Sequence, residues 1–216
     1  DMQVYEKSRK IIRECPGKDI FIAFADLDMY GHLLFGSDEY IEKIDTLFEQ
    51  VSHLAGLYTD INSNGKVILV SDHGMAKITG SVKFDLPSSA GQPSEHSYLH
   101  FLDETMARVW VFDEMLKDDI RCYLQSLPGG TLLTNKERAH YGITSQNFGT
   151  FIFLLEEGHV FSPHFFGKGR HGGGAHGYQP DLPSQKAVLC SNLEFSKESF
   201  NIADVFGILD GVYGGI

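Results

Sequence analysis

An apolar strand that ends in an acid and an imidazole lies at residues 66–75, KVILVSDHGM. Four consecutive apolar residues, Val67–Val70, predict a buried strand, and the run stops at Ser71–Gly74. Ligands of open α/β sheets bind outside the carboxyl ends of the parallel strands. We therefore expect Asp72 and His73 to face a site and to offer an oxygen and a nitrogen to a divalent metal.

A second acid and imidazole follow an earlier apolar run. Residues 19–25, DIFIAFA, predict a strand that leads into residues 26–32, DLDMYGH. Asp28 and His32 lie four positions apart in what we expect to be a loop, so both can turn towards one ion. The spacing favours Asp28 over Asp26. A turn acid and a surface histidine remain the alternative.

The segment between these two strands predicts a helix. Apolar residues recur at helical spacing from Tyr40 to Leu57, behind Ser37 as a candidate N-cap. A strand, helix and strand of this length form a right-handed unit with parallel strands. Both acid and imidazole pairs are then expected at the same edge of one sheet.

The middle of the chain has a different pattern. A Gly-, Ser- and Pro-rich stretch follows Met75, and short alternating strands and a helix come after it. Roughly residues 76–165 therefore predict an inserted α+β subdomain. Residues 164–178, HFFGKGRHGGGAHGY, form a Gly-rich loop that contains His164, His171 and His176.

Composition limits the classes of partner. The net charge of −11 over 216 residues argues against nucleic acid, because phosphate binding needs clustered Lys and Arg. No apolar run reaches the length of about 18 residues that a membrane span needs. We therefore expect a soluble chain, located in the cytoplasm, without a membrane partner.

Three motifs in this order, DLDMYGH, VILVSDHGM and GAHGYQPDLPSQKAVLCSN, resemble the alkaline phosphatase superfamily, most closely its type I phosphodiesterase and nucleotide pyrophosphatase branch. The resemblance implies an α/β fold with a mostly parallel sheet flanked by helices. It also implies that Asp28, His32 and His176 bind one zinc ion, and that Asp72 and His73 bind a second. The family's proline before the first aspartate is Leu27 here.

The resemblance implies hydrolysis of a small phosphorylated substrate at a phosphodiester or nucleotide pyrophosphate bond. Two divalent cations, zinc or alternatively manganese, would act as cofactors. In the family, a further metal-binding aspartate and the hydroxyl nucleophile precede the equivalent of Asp28. The 27 residues before Asp28 contain no such pattern. We therefore expect a C-terminal part of such an enzyme, inactive alone, that associates with itself or with an N-terminal segment.

Other residues and activities remain open. Arg108, Arg170 and His171 are candidate substrate contacts. Arg108 could instead pair with Asp103 or Glu104, and the other two could be solvated loop residues. The alternative activities are those of phosphomonoesterases, sulfatases and phosphoglycerate mutases of the same superfamily. A non-catalytic metal-binding fragment is a further alternative.

Overall fold

The fold combines α-helices with short strands. The computed structural model describes residues 1–168, 172–195 and 198–213. The helices within these ranges are α1 (Met2–Glu14), α2 (Asp26–Leu34), α3 (Asp38–Ile61), α4 (Lys117–Ser126), α5 (Asn135–His140) and α6 (Asp204–Tyr213). The strands are β1 (Ile68–Val70), β2 (Ala76–Lys77), β3 (Gly80–Val82), β4 (Tyr98–Leu102), β5 (Met106–Val111), β6 (Gly130–Leu132), β7 (Phe151–Leu155), β8 (His159–Phe161), β9 (Gly174–Ala175) and β10 (Leu189–Ser191). The predicted α/β class is confirmed.

Most strand pairings are antiparallel. Strands β4, β5, β7 and β6 form a four-stranded sheet in that order, while β1 pairs with β10 and β2 with β9. The parallel pairing among the described residues joins β3 to β8. The predicted mostly parallel sheet therefore does not hold for these strands. The turn between β4 and β5 spans residues 103–105, and such a short connection permits only antiparallel neighbours.

The chain divides into two compact units. The first comprises Asp1–Asp26, Ile44–Gly74 and the residues from Ala187 onward, and the second comprises Leu27–Lys43 and Met75–Lys186. The first unit contains α1 and the β1–β10 pair. The second contains the four-stranded sheet and includes the whole of residues 76–165. That these residues are an insertion stays a prediction.

The main hydrophobic core lies in the second unit. All five residues of β7, FIFLL, are buried, because this strand lies between β5 and β6 in the sheet. Ile120 and Leu124 of α4 are fully buried in the same apolar cluster as Val109 and Phe153. Such close packing gives the sheet a fixed frame from which its turns can position side chains.

Helix α3 begins where the sequence predicts it. The hydroxyl of Ser37 accepts a hydrogen bond from the backbone N–H of Tyr40 at 3.2 Å, which is the interaction of an N-cap. Asp38 and Glu39 add negative charge to the first turn, where it stabilises the helix dipole. Among the described residues, no helix has both the length and the apolar character that a membrane span requires.

The predicted strand at residues 19–25 is not formed. These residues are outside every strand of the described chain, and Phe21 is 93% exposed. The predicted unit of two parallel strands joined by a helix is therefore wrong, although its helix (α3) and its second strand (β1) are present, because the first strand is missing and β1 pairs antiparallel with β10. An apolar run is consistent with a strand, but it does not identify the partner strand.

Asp28 and His32 lie on α2 and not in a loop, which corrects a second expectation. The Asp1 carboxylate accepts hydrogen bonds from the backbone N–H groups of Ala25 and Asp26, at 3.2 and 3.3 Å, where the helix begins. Residues four apart on a helix share one face. Asp28 and His32 can therefore face one ion because they lie on the same face of a helix, and no loop is needed to bring them together.

Candidate metal site

Three predicted ligands converge in the second unit. The Oδ1 atom of Asp28 lies 3.5 Å from Nε2 of His32 and 3.7 Å from Nε2 of His176. The two imidazole rings are 5.0 Å apart between centroids. Asp28 and His32 come from α2, while His176 follows β9, so residues distant in the sequence meet around one point. We call these three residues the Asp28 cluster.

The donor atoms of the Asp28 cluster suit a divalent cation. Two ligands of a tetrahedral zinc ion, each bonded at about 2.0–2.1 Å, lie about 3.3–3.4 Å apart. The two distances to the Asp28 oxygen are only slightly longer than this. Both histidine side chains are about a quarter to a third exposed, with values of 23% and 31%, so the site is sheltered but accessible. One carboxylate and two imidazoles form a donor set typical of zinc.

The backbone determines which nitrogen of His32 faces the cluster. Nδ1 of His32 lies 3.1 Å from the carbonyl oxygen of Gly174. A carbonyl oxygen only accepts hydrogen bonds, so Nδ1 carries the proton in the neutral ring. The Nε2 lone pair is then directed towards Asp28, as metal binding requires.

Glycine allows α2 and the Gly-rich loop to approach each other closely. A Cβ atom at Gly173 would lie 2.1 Å from the carbonyl oxygen of His32, and the residue has φ +77°. No other residue type fits this position without displacement of the backbone. The Gly-rich composition that precedes His176 therefore has a packing reason: it brings β9 against the helix that carries Asp28 and His32.

The chain beyond His176 is also held in place. Gly177 has φ +86°, and the side-chain oxygen of Gln185 accepts hydrogen bonds from the backbone N–H groups of Gly177 and Tyr178 at 2.8 and 3.2 Å. The phenol of Tyr178 is buried and donates to the carbonyl oxygen of His159 at 3.0 Å. The pattern AHGY thus contains one predicted ligand, His176, followed by two residues that hold its backbone in place.

The second predicted pair lies in the first unit. Nε2 of His73 is 3.4 Å from Oδ2 of Asp72, and Nδ1 of His73 lies 2.9 Å from the carbonyl oxygen of Gly74. His73 therefore repeats the arrangement of His32, with one nitrogen on a carbonyl and the other towards a carboxylate. Asp72 is 83% exposed at its side chain, which leaves its oxygens accessible to an ion.

Arg108 lies in the four-stranded sheet and packs against aromatic rings. Its guanidinium carbon is 4.7 Å from the ring centroid of Phe148 and 5.0 Å from that of Phe101. Neither Asp103 nor Glu104 forms an ion pair with it in the described part of the chain, so that alternative is wrong. A role in substrate binding stays a prediction. Arg170 and His171 lie outside the described residues.

Three residues near the Asp28 cluster had no signal in the sequence. Glu104 approaches His32, Thr105 contacts the backbone of His176, and Tyr40 lies within the field of Asp28. Burial, and secondly the negative charge of Asp28, raise the pKa of Tyr40 above its ordinary value. A single turn acid, a threonine and a helix tyrosine are too common to be identified without the fold.

The chain is similar to known proteins in its fold and not in its sequence. No protein-family model and no curated protein sequence matches the chain. Murine ectonucleotide pyrophosphatase/phosphodiesterase 5 has a similar structure, with a TM-score of 0.74 and 19% identity over 98% of this chain and 59% of that one. The human protein of the same name gives 0.71 and 20% over the same shares. An inactive variant of the murine protein is in complex with AMP.

A bacterial hydrolase has a similar fold as well. Phosphonoacetate hydrolase from Sinorhizobium meliloti, in complex with phosphonoacetate, matches with a TM-score of 0.69 and 14% identity. The match covers 94% of this chain and 53% of that one. At 14–20% identity these matches show that the chain shares the fold of these hydrolases, so the predicted resemblance is confirmed at the level of the fold. The chain spans between 53% and 59% of the length of these neighbours.

Proposed function

We propose that this chain forms the metal-binding part of a hydrolase that cleaves phosphoric ester bonds, of the phosphodiester or nucleotide pyrophosphate type. The observation that carries the proposal is the Asp28 cluster, in which a carboxylate and two imidazoles meet at distances suited to one ion. The fold, similar to that of a pyrophosphatase/phosphodiesterase, supports it.

In this proposal, Asp28, His32 and His176 hold one divalent cation, and Asp72 and His73 supply ligands for a second. Zinc fits the nitrogen-rich cluster, and manganese is the alternative where oxygen ligands dominate. Two such ions, when bound, lower the pKa of an attacking hydroxyl and stabilise the departing oxygen. The residues of this chain bind and orient the ions, since backbone carbonyl oxygens lie 3.1 Å from Nδ1 of His32 and 2.9 Å from Nδ1 of His73.

The proposed substrate is a small phosphorylated molecule, for which a nucleotide is the first candidate. The neighbour in complex with AMP supports this choice. We propose that the nucleophile and one further metal ligand belong to a part of the protein outside this chain. The chain alone is then expected to bind metal without turning over a substrate.

Metal content tests the proposal directly. The chain is stripped with a chelator, dialysed against zinc and assayed by elemental analysis. We expect stoichiometric zinc, with at least one equivalent lost in Asp28→Ala and in His176→Ala, because each removes a donor atom. His96→Ala is the matched control, since its side chain is 88% exposed and lies outside the cluster. Equal zinc content in all four proteins would contradict the proposal.

Hydrolysis distinguishes the candidate activities. A longer form of the protein that includes the preceding residues is assayed on a nitrophenyl phosphodiester, a nitrophenyl phosphomonoester, a nitrophenyl sulfate and phosphonoacetate. We expect the diester to be cleaved fastest by the longer form and not at all by this chain. Equal rates for the two proteins would contradict the placement of the nucleophile, and a preference for phosphonoacetate would favour the activity of the bacterial neighbour.

A further inference from the structure

The turn between β4 and β5 is fixed firmly in the second unit. The backbone N–H of Asp103 donates to the carbonyl oxygen of Met106 at 2.8 Å, and its carboxylate accepts from the N–H of Glu104 at 2.8 Å. The carbonyl of Glu104 accepts from Phe161 at 2.8 Å, and that of Thr105 from Leu155 at 2.9 Å. Residues 103–105, which we call the Glu104 turn, are therefore attached to two strands of the core.

The Glu104 side chain of this turn reaches His32. An Oε2 atom of Glu104 lies 3.5 Å from Nδ1 of His32, the nitrogen that also lies 3.1 Å from the carbonyl oxygen of Gly174. The Glu104 side chain is only 15% exposed. A sheltered carboxylate is costly to bury unless it has a partner, and here the partner is Nδ1 of His32, while the other ring nitrogen, Nε2, faces Asp28.

The Thr105 side chain of this turn contacts the backbone of the other histidine, His176. Thr105 is 3% exposed, and its hydroxyl donates to the carbonyl oxygen of His176 at 3.0 Å. A Cβ atom at Gly177 would lie 2.8 Å from that hydroxyl oxygen. Thr105 therefore lies against the backbone that directly follows the His176 Cα atom, which limits the positions that the ring can take.

We propose that the Glu104 turn is the outer support of the metal site, with Glu104 and Thr105 as positioning residues for His32 and His176. This inference rests on the proposed function. A carboxylate behind a metal-binding imidazole holds the ring in one tautomer and makes the ligand nitrogen more basic. One rigid turn would thus orient two ligands that come from different parts of the chain.

The experiment measures metal affinity in the full 216-residue chain. Zinc dissociation constants are obtained by competition with a chromophoric chelator, and the visible spectrum of the cobalt-loaded chain reports ligand geometry. Glu104→Ala and Glu104→Gln test the carboxylate, while Thr105→Val and Thr105→Ser test the hydroxyl. Glu95→Gln is the control, since it removes an equal charge from a side chain that is 86% exposed.

We expect Glu104→Ala and Thr105→Val to weaken zinc binding by about 10- to 100-fold and to change the cobalt spectrum, because outer partners of metal ligands have effects of this size. Glu104→Gln preserves the shape of the side chain and should also weaken binding, so the result does not depend on how Glu104→Ala folds. Thr105→Ser keeps the hydroxyl group and should bind zinc more tightly than Thr105→Val does. Glu95→Gln should bind as the unaltered chain does.

Three results would overturn the inference, and they show whether the proposed function fails with it. Unchanged affinity and spectra in Glu104→Gln and Thr105→Val, with binding abolished in His176→Ala, would refute the supporting role and leave the proposed function intact. Unchanged binding in His176→Ala as well would refute both. If the metal-free variants are less stable but their cobalt spectra are unchanged, the Glu104 turn stabilises the fold and does not position the metal ligands.

Discussion

Asp28 is the acid common to both histidine contacts of the cluster, and its charge also reaches Tyr40. The sequence identified Asp28, His32 and His176 as candidates because their chemistry and motif order are distinctive. It could not identify Glu104, since one acid between two strands is typical of any turn. A sequence shows which side chains could bind a metal. It does not show that a distant turn contacts them, because that contact depends on which strands pair.

Tyr40 provides a test of the charge at Asp28 in the metal-free chain. Asp28→Asn removes a negative charge, so the pKa of Tyr40 should fall, yet it should remain above the ordinary value because burial is the larger cause of its rise. The measurement is an ultraviolet titration of tyrosine ionisation, with Tyr40→Phe to assign the signal. Asp45→Asn, on the same helix, should leave the curve unchanged. No shift in Asp28→Asn would contradict the electrostatic account.

Arg108 is expected to matter for stability through its aromatic neighbours. Arg108→Lys should lower the free energy of unfolding by about 1 kcal/mol, because the planar guanidinium packs on rings that an ammonium group covers less well. Urea denaturation measures this, and zinc affinity should not change. Arg121→Lys is the control and should have a smaller effect, because the Arg121 guanidinium lies farther from its aromatic neighbour, 5.5 Å from the Phe151 ring centroid. Lost zinc affinity in Arg108→Lys would contradict this reading.

At the scale of elements, α2 and β9 determine the site together. The sequence predicted Asp28 and His32 in a loop, although their spacing of four already fits a helix face. The sequence predicted a Gly-rich loop that contains His176, and in the structure Gly173 of this loop approaches α2 closely. Which glycine makes the contact depends on backbone angles that composition does not encode.

Gly173 and Gly172 form a matched pair for a test of this contact. Both have positive φ, but a Cβ atom meets the His32 carbonyl at Gly173 and open space at Gly172. Gly172→Ala should cost about 1 kcal/mol of stability from backbone strain alone. Gly173→Ala should cost about 1–3 kcal/mol more because of the clash, and it should also weaken zinc binding. Equal losses in urea denaturation and zinc titration would contradict the close approach.

At the scale of the whole chain, sequence patterns identified most elements but not all of their partners. The apolar run of β7 and the alternation of β4 and β5 predicted strands that are present. Residues 19–25 are also an apolar run, but they belong to no strand in the described chain. Strand pairing depends on distant residues, so a local pattern cannot decide it.

Self-association of the chain stays a prediction, and residues 19–25 give it a physical basis. An apolar segment that belongs to no strand of the described chain, with Phe21 exposed, can pair with a strand of another chain. We expect association in sedimentation experiments, and Phe21→Glu should reduce it. Met115→Glu is the control, since Met115 is 88% exposed elsewhere. A monodisperse monomer at all concentrations would contradict this prediction.

Anomalous diffraction at the zinc absorption edge, from crystals of the zinc-loaded chain, tests the metal site most directly. We predict a peak bonded to Oδ1 of Asp28 and to Nε2 of His32 and His176 at about 2.0–2.2 Å from each atom. A peak elsewhere, or three side chains directed to different regions of the molecule, would contradict the site and the hydrolase function proposed from it.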